Sequence, residues 1–269
     1  MLLEKYYYPP VNFHSVWFSE MMLRNLKLNG RSINHNDVIL DIGCGLGNHC
    51  FSLLDYHPAE IQGYDISKDT IELLKTFGKN VKFSNIDICK DDITALKEHF
   101  SVIFSSDVYE HVDDPQVMLN NIYFMLKPGG EVSITFPNLD DHGHNQMKDV
   151  EELITRLKVA GFSKYKIVIV EGLTLPYRVL SKAYIFFQNL SDKFMGIKRN
   201  PNRMPESDEF HEMYAFKKIN KIKDKTLLVR YINLNYDVLK RLCRLSSIYK
   251  LAGTGSGIKN KRFLFWAVK

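Results

Sequence analysis

The chain has 269 residues, of which 45% are hydrophobic and 25% charged, and its formal net charge is +5. This is an ordinary globular composition, and the length suits one large α/β domain or one domain with a sizeable insertion. Glu4 and Lys5 stand where a secretory signal would need an apolar run, and no stretch approaches the roughly 18 apolar residues of a membrane-spanning helix. The four cysteines form no CxxC pair, so we expect a cytoplasmic protein with reduced thiols.

The net charge conceals a split along the chain. Residues 1–172 carry 16 Lys and Arg against 24 Asp and Glu, a net charge of −8. Residues 173–262 carry 19 against 7, a net charge of +12, and Lys269 adds the last positive charge. An acidic first part joined to a basic second part indicates two separate tasks.

Hydrophobic periodicity predicts an N-terminal helix over 11–28, followed by strands that alternate with helices. The predicted strands are 37–42, 60–66, 81–88, 100–107, 131–136, 164–170 and, at the end of the chain, 262–269. The predicted helices between them are 49–56, 67–78, 115–127 and 150–161. Ser67 and Asp114 are typical N-caps, Pro115 suits a first helical position, and Gly78 is a typical stop.

This alternation predicts an α/β fold with a doubly wound, mostly parallel, seven-stranded sheet and a helical insertion before the last strand. We divide the chain into four parts: an N-terminal helical lid (1–35), an α/β core (36–172), a basic, mainly helical insertion covering the substrate mouth (173–262) and a last core strand (263–269). On such a sheet, ligands bind beyond the carboxyl ends of the strands, near the topological switch point.

The stretch "DIGCGLG" follows the first strand and opens the first helix of the core. Glycines allow backbone amides to approach a ligand closely, and a helix N-terminus favours an anionic group. A dinucleotide site would require a third glycine at position 48. The chain has Asn48 there, and Gly47 comes one residue early. The spacing therefore argues against a dinucleotide such as NAD.

A G-x-G-x-G turn preceded by Asp41 resembles that of class I S-adenosylmethionine (SAM) methyltransferases. The resemblance extends over roughly 36–170 and includes "GYDIS", "NIDI" and "SSDVYEHVDDP…LNNIYFMLKPGGEVSITFPN". Within the family, the chain is similar to the small-molecule enzymes of ubiquinone and surface-glycan pathways. The resemblance implies a Rossmann-like methyltransferase fold with SAM as the cofactor. The implied cofactor-binding residues are Asp41, Gly43, Cys44, Gly45, Gly47, Asp65, Ile66, Asp87, Ile88 and Ser105.

The resemblance also implies a role for each polar position. Asp41 would face the methionine end of SAM, Asp65 would accept from both ribose hydroxyls, and Asp87 would contact the adenine amino group beside the Ile88 backbone. The backbone carbonyl of Ser105 would receive the SAM ammonium group. Simpler interpretations stay open: Asp41 as a turn former, Asp65 as a cap before its helix, and Asp87 as a solvated charge in an acidic loop.

Three histidines are candidates for a general base. The resemblance places His111 after the fourth strand, where it either packs at a helix start or acts in catalysis. His142 and His144 follow the fifth strand and would face the substrate, with His211 in the insertion as a further candidate. Histidine suits proton transfer near neutral pH. The two histidines after the fifth strand, with the aspartates beside them, could also bind a metal; we expect none.

The acceptor is less well defined. The chain lacks the Asn/Asp-Pro-Pro-aromatic run of nucleic-acid amino methyltransferases, and no cysteine fits an RNA cytosine-5 enzyme. We therefore do not expect a nucleic-acid partner, although RNA ribose and carboxyl methylation stay open. We expect O-methylation of a sugar, glycan or related small molecule, phosphorylated or lipid-linked. The alternatives are N- or C-methylation of another metabolite, or a non-catalytic SAM-fold module that docks RNA, protein or membrane.

The basic insertion, 173–262, suggests how such an acceptor could be selected. Its positive charge can attract phosphate, and "YRVLSKAYIFFQNLSDKFMG" mixes aromatic and cationic residues as interfacial helices do. An anionic acceptor, peripheral contact with the inner membrane surface, or a merely solvated surface are the three interpretations. Because 262–269 is predicted to be a sheet strand, both ends of the insertion should be tied to the core.

Overall fold

The structure is a computed structural model that describes residues 13–45, 47–75, 80–138, 147–173, 249–251 and 261–269, with isolated positions between 178 and 241. The strands are β1 (Val38–Ile42), β2 (Glu60–Asp65), β3 (Lys82–Asn85), β4 (Phe100–Ser106), β5 (Leu126–Asn138), β6 (Lys164–Leu173), β7 (Tyr249–Leu251) and β8 (Lys261–Val268). The helices are α1 (Phe13–Leu28), α2 (Asn48–Leu53), α3 (Lys68–Lys75), α4 (Pro115–Met125) and α5 (Val150–Ala160).

These strands form a sheet in the order β3-β2-β1-β4-β5-β8-β6-β7. The pairs β3–β2, β2–β1, β1–β4 and β4–β5 are parallel. β8 is antiparallel to both β5 and β6, so the last strand lies inside the sheet rather than at its edge. All seven predicted strands are present, and the described residues add a three-residue strand, β7, on the outer side of β6.

Alternate residues of the central strands point into two hydrophobic cores, one on each face of the sheet. Ile39 and Phe104 belong to the core beneath α1, α2 and α3, whereas Leu40 and Ile103 belong to the core beneath α4 and α5. Strands buried on both faces are expected for a doubly wound sheet. The predicted architecture is therefore confirmed.

Local signals explain where the helices begin and end. The Asp114 side chain accepts from the N–H groups of Gln116 and Val117 before α4, and Pro115 occupies the first turn. Ser67 Oγ accepts from the N–H of Thr70 at the start of α3. α5 ends at Gly161, whose φ of +107° suits the left-handed cap that glycine adopts readily. The predicted stop at Gly78 lies outside the described residues.

α1 is part of the protein core. Val16, Met21 and Met22 are fully buried, in a cluster that also contains Leu264 of β8. The structure thus places this helix on one face of the sheet, and its role as a lid stays a prediction. Among the described helices, none is long and apolar enough to cross a bilayer.

The ends of the basic segment are partly described. β6 ends at Leu173 and β8 begins at Lys261, and these two strands pair with Val170 opposite Arg262. The segment therefore leaves and re-enters the sheet at neighbouring strands. Most of 173–262 lies outside the described residues, so its mainly helical character and its cover over the site stay predictions.

Candidate cofactor and acceptor site

The glycine turn after β1 adopts a backbone that only glycine takes easily. Gly43, Gly45 and Gly47 have φ values of +67°, +47° and +75°. The N–H groups of Gly43 and Cys44 both donate to the Tyr64 carbonyl, at 2.8 and 2.9 Å, which fastens the turn to β2. A Cβ on Gly43 would lie 2.0 Å from Cγ2 of Val108, so this position has no room for a side chain.

Gly45 is different, because no atom of the described chain lies within 4 Å of where its Cβ would stand. Its N–H donates to Oδ2 of Asp65 at 2.8 Å, while Oδ1 of Asp65 accepts from the N–H of Ser67 at 2.9 Å. Each carboxylate oxygen has a further lone pair for another donor. Asp65 thus joins the turn to the start of α3 and keeps capacity to bind a ligand.

A cleft of about 480 Å³ opens at the carboxyl ends of β1, β2, β3 and β4. This edge includes the switch point between β1 and β4, where the order of the strands reverses. The size is within the usual range for small-molecule sites. The residues that line the cleft are Ile42, Gly43, Gly45, Asp65, Ile66, Ile86, Asp87, Ile88, Cys89, Lys90, Asp107, Val108, His111, Val112 and Asp113.

One rim of the cleft is acidic. Oδ1 of Asp87 accepts from the N–H of Cys89 at 2.9 Å, and its Oδ2 lies 3.7 Å from Nζ of Lys90. Lys90 is closer to Asp113, at 2.7 Å. Burial, followed by the charge of Asp87, raises the pKa of Cys89 to about 11, so this thiol stays protonated. Asp87 therefore shapes its own loop as well as lining the cleft.

Four predicted cofactor residues lie beside the cleft rather than among its lining residues: Asp41, Cys44, Gly47 and Ser105. Asp41 is buried, with Oδ1 3.1 Å from Nδ1 of His49 and Oδ2 accepting from Sγ of Cys50 at 3.4 Å. Ser105 is also buried, and its hydroxyl donates to the Ile42 carbonyl at 3.1 Å. These side chains support the turn from behind, and their contacts to a cofactor stay a prediction.

At Asp107, the wall of the cleft meets residues that are distant in sequence. Asp107, which follows β4, pairs with Nη1 of Arg262 on β8. The same nitrogen lies 3.4 Å from Oγ1 of Thr135, and the guanidinium lies over the ring of Phe18 in α1, 3.9 Å from its centre. This group of side chains was not predicted from the sequence. The signal was a charged residue at the start of the last apolar strand.

His111 is the one candidate base within the described residues, and it lines the cleft beside Asp107. His142, His144 and His211 lie outside the described part of the chain. Within the described part, no group of three or more His, Cys, Asp or Glu side chains could hold a metal ion.

The family model described as a methyltransferase domain matches residues 33–218, which is more than half of the chain. The chain belongs to this methyltransferase family. The match begins before the glycine turn and extends past β6, so it includes every residue that lines the cleft. The family predicted from the strand-end motifs is therefore confirmed.

Curated relatives of this methyltransferase differ in their acceptors. A ubiquinone biosynthesis O-methyltransferase of Coxiella burnetii is 32% identical over 96 residues, 35% of this chain and 41% of the relative. A tRNA U34 carboxymethyltransferase of Campylobacter curvus is 28% identical, over 46% of this chain and 40% of the relative. Phosphoethanolamine N-methyltransferase 1 of Zea mays is 26% identical, over 59% and 30%. The chain thus spans less than half the length of these relatives.

Solved structures show the same fold at low sequence identity. Haemonchus contortus phosphoethanolamine N-methyltransferase 2, solved with phosphomonomethylethanolamine and S-adenosylhomocysteine, has a TM-score of 0.54 and 17% identity, covering 94% of this chain and 52% of that one. A putative sarcosine dimethylglycine methyltransferase of Galdieria sulphuraria has a TM-score of 0.53 and 13% identity, over 94% and 86%.

Proposed function

We propose that this methyltransferase binds SAM in the cleft and transfers its methyl group to a small-molecule acceptor. The observation that carries the proposal is the space over Gly45, which is bounded by Asp65 and by the apolar side chains of Ile66 and Ile88. A ribose would bind Asp65, and a flat apolar ring would lie against the isoleucines. The residues present therefore fit the cofactor of the family.

When bound, SAM supplies an electrophilic methyl group on a sulfonium. The protein has to orient the acceptor in line with that methyl and keep water out, and such positioning lowers the barrier substantially. An alcohol or phenol acceptor also requires a base. His111 lines the cleft and can take the proton. His142 or His144, with His211 as the next candidate, would serve if His111 does not.

Direct binding measurements test the cofactor. Calorimetric titration should show SAM binding at around micromolar affinity, and no binding of NAD. Binding of NAD without SAM would contradict the proposal. Binding of SAM with no turnover of any acceptor would instead support a non-catalytic SAM-fold module. His111→Ala should lower the rate without lowering SAM affinity if this histidine is the base.

For the acceptor, we propose a hydroxyl of a sugar, glycan or related small molecule, carrying a phosphate or a lipid-linked phosphate. The support is the positive charge of residues 173–262, which leave and re-enter the sheet at the edge where the cleft opens, and the Arg262 guanidinium, which pairs with Asp107 in the cleft wall. A panel of sugars and their phosphates, assayed with methyl-labelled SAM, distinguishes this acceptor from amines, which would indicate N-methylation instead.

We also propose that the protein is cytoplasmic and contacts the inner membrane surface. Val179, Phe186 and Leu190 are helical and at least 57% exposed, and their sequence spacing of seven and four residues is that of positions on one helix face, with the exposed Arg178 and Lys182 nearby in sequence. Exposed apolar and basic residues on one face are typical of interfacial helices. Phe186→Ser should weaken binding to anionic vesicles, whereas Val238→Ser, at another exposed valine, should not.

A further inference from the structure

A buried carboxyl group lies in the turn between β4 and α4, behind the wall of the cleft. The side chain of Glu110 is only 1% exposed. One of its oxygens, Oε2, has no hydrogen-bond partner within the described part of the chain. Buried polar atoms of a native protein are almost always hydrogen-bonded, so an exception calls for an explanation.

Three charged or titratable groups face Glu110 among the described residues: Asp107 at the end of β4, Arg262 on β8, and His111 in the same turn. Arg262 is already paired with Asp107, so it compensates a charge on Glu110 only in part. Burial, followed by the charge of Asp107, raises the pKa of Glu110 to about 8, against the opposite effects of its own backbone N–H and of Arg262. Near neutral pH, most molecules therefore carry a proton on Glu110.

Glu110 is not among the residues that line the cleft, but its neighbour in sequence is. Nε2 of His111 lies 3.8 Å from Oε1 of Glu110, and the imidazole is 56% exposed. The backbone N–H of His111 donates to the Val108 carbonyl at 2.9 Å, which fixes the backbone of the turn. Glu110 can therefore act on an acceptor only through His111.

We propose that Glu110 is a positioning residue that orients His111 and sets how strongly its imidazole takes up a proton. With the carboxyl ionised, its negative charge lies 3.8 Å from Nε2 of the imidazole and favours a proton on the ring. The proton of the acceptor's O–H or N–H then passes to the imidazole, and the bonding pair stays on the acceptor atom. The carboxylate balances the charge of the imidazolium, which a protonated Glu110 cannot do. The role in methyl transfer rests on the proposed function, but the coupling between the two side chains does not.

NMR titration of the full chain tests the coupling without cofactor or acceptor. The ring signals of His111, assigned with His111→Gln, are followed from pH 5.5 to 9.5. The wild type should show a second inflection near pH 8, and Glu110→Gln should lack it. Glu98→Gln, which changes an exposed carboxyl paired with Lys269, serves as the control and should keep the inflection.

The outcomes separate clearly. Identical His111 titrations in the wild type and in Glu110→Gln would overturn the proposal. If that variant does not fold, the carboxyl carbon of Glu110 is labelled with ¹³C in the wild type and followed over the same pH range. The midpoint pH of its signal must then equal that of the second His111 inflection. An unrelated midpoint rejects the dyad.

Kinetics supply the functional part of the test once an acceptor turns over. kcat/KM should rise through pH 8 in the wild type, and this rise should be missing in Glu110→Gln, leaving it about tenfold slower at pH 8.5. The KM for SAM should not change. Failure of SAM binding would remove the proposed function while leaving the NMR result intact, so the two failures are distinguishable.

Discussion

The two ends of the cleft are built in different ways. At the end that we propose for the cofactor, backbone N–H groups hold the carboxylates: Gly45 and Ser67 donate to Asp65, and Cys89 donates to Asp87. At the end that we propose for the acceptor, side-chain charges meet. There the Asp107–Arg262 pair joins positions 155 residues apart, close to a buried carboxyl whose Oε2 has no partner in the described chain.

This difference has a physical consequence. Ligand binding at the proposed cofactor end depends on glycine backbone geometry and on carboxylates that backbone N–H groups hold in place. Glu110 lies behind the proposed acceptor end, and burial raises its pKa to about 8, close to working conditions. We therefore expect cofactor affinity and catalytic rate to respond to different variables.

The glycine turn should show the largest effect of a single methyl group. Gly43→Ala places a Cβ 2.0 Å from the Val108 side chain and forces alanine to a φ of +67°. Overpacking and the left-handed backbone together should reduce the free energy of unfolding by about 2–5 kcal/mol. Chemical denaturation measures this loss.

Gly45→Ala is the matched control, because its φ is also positive but its Cβ would meet only the cleft. We expect a smaller loss of stability, about 1 kcal/mol from the backbone alone, and a clear loss of SAM affinity. Equal effects of the two variants on stability would mean that the contact of Gly43 with Val108 is not a constraint.

The free energy of unfolding of the protein should depend on pH through Glu110. Its folded pKa of about 8 is above the ordinary value of 4.5, so the folded protein keeps a proton that the unfolded chain releases. Stability therefore falls as pH rises from 4.5 to 8 and levels off above that. Glu110→Gln should remove this fall. The free energy of unfolding of the variant, relative to that of the wild type, should therefore grow by on the order of 3 kcal/mol between pH 4.5 and 7.

Thermal unfolding across pH measures the difference, with Glu98→Gln as the control at an exposed carboxyl. A wild type and a Glu110→Gln variant whose stabilities run parallel from pH 4.5 to 8 would show that Glu110 titrates normally.

The residues that we propose for the cofactor end could be located from sequence because each stands in a motif at the end of a predicted strand. Asp65 ends a strand next to the turn that it binds, and the spacing of Gly43, Gly45 and Gly47 encodes the backbone directly. The strand containing Arg262 was also predictable from alternating apolar residues. Its position between β5 and β6 was not, because pairing with distant strands leaves no local pattern.

The same limit applies behind the turn. Asp41 was identified as a strand-end carboxylate, but its contacts with His49 and Cys50 depend on how α2 packs over β1. Burial, the Cys44 thiol and the Asp41 charge raise the pKa of Cys50, an environment that no motif indicates. Sequence patterns thus located the polar groups, and tertiary packing decided which of them meet.

Removing the Asp65 carboxylate, which joins the turn to α3, should specifically weaken the binding of SAM. Asp65→Ala should cost roughly 1.5–3 kcal/mol of SAM binding, as expected for hydrogen bonds to a charged group. Glu72→Ala removes a carboxylate from the exposed side of α3 and is the control. Calorimetry on both variants decides the matter, and unchanged SAM affinity in Asp65→Ala would place the ribose elsewhere.

The ion pair between Asp107 and Arg262 should contribute less to the stability of the protein. Arg262→Met keeps an apolar stem over Phe18 but removes the contact to Asp107. A double-mutant cycle with Asp107→Asn should give a coupling energy of about 1 kcal/mol, because the pair is only partly buried. Arg262→Met should also raise the pKa of Glu110 further, since Arg262 opposes the effect of burial. A coupling energy near zero would reduce Arg262 to a packing role.

Salt should produce the smallest change in ligand affinity, and the change should differ between SAM and the acceptor. Exposed charges are screened over a Debye length of about 8 Å at physiological ionic strength. SAM affinity should change by less than about 0.5 kcal/mol between low and high salt, because its site consists of the glycine turn and a carboxylate already bound by backbone N–H groups. Affinity for a sugar phosphate should fall more steeply, because residues 173–262 carry a net charge of +12. Calorimetric salt series for both ligands give the two slopes. Equal slopes would mean that the basic segment does not attract the acceptor and that its charge serves another partner.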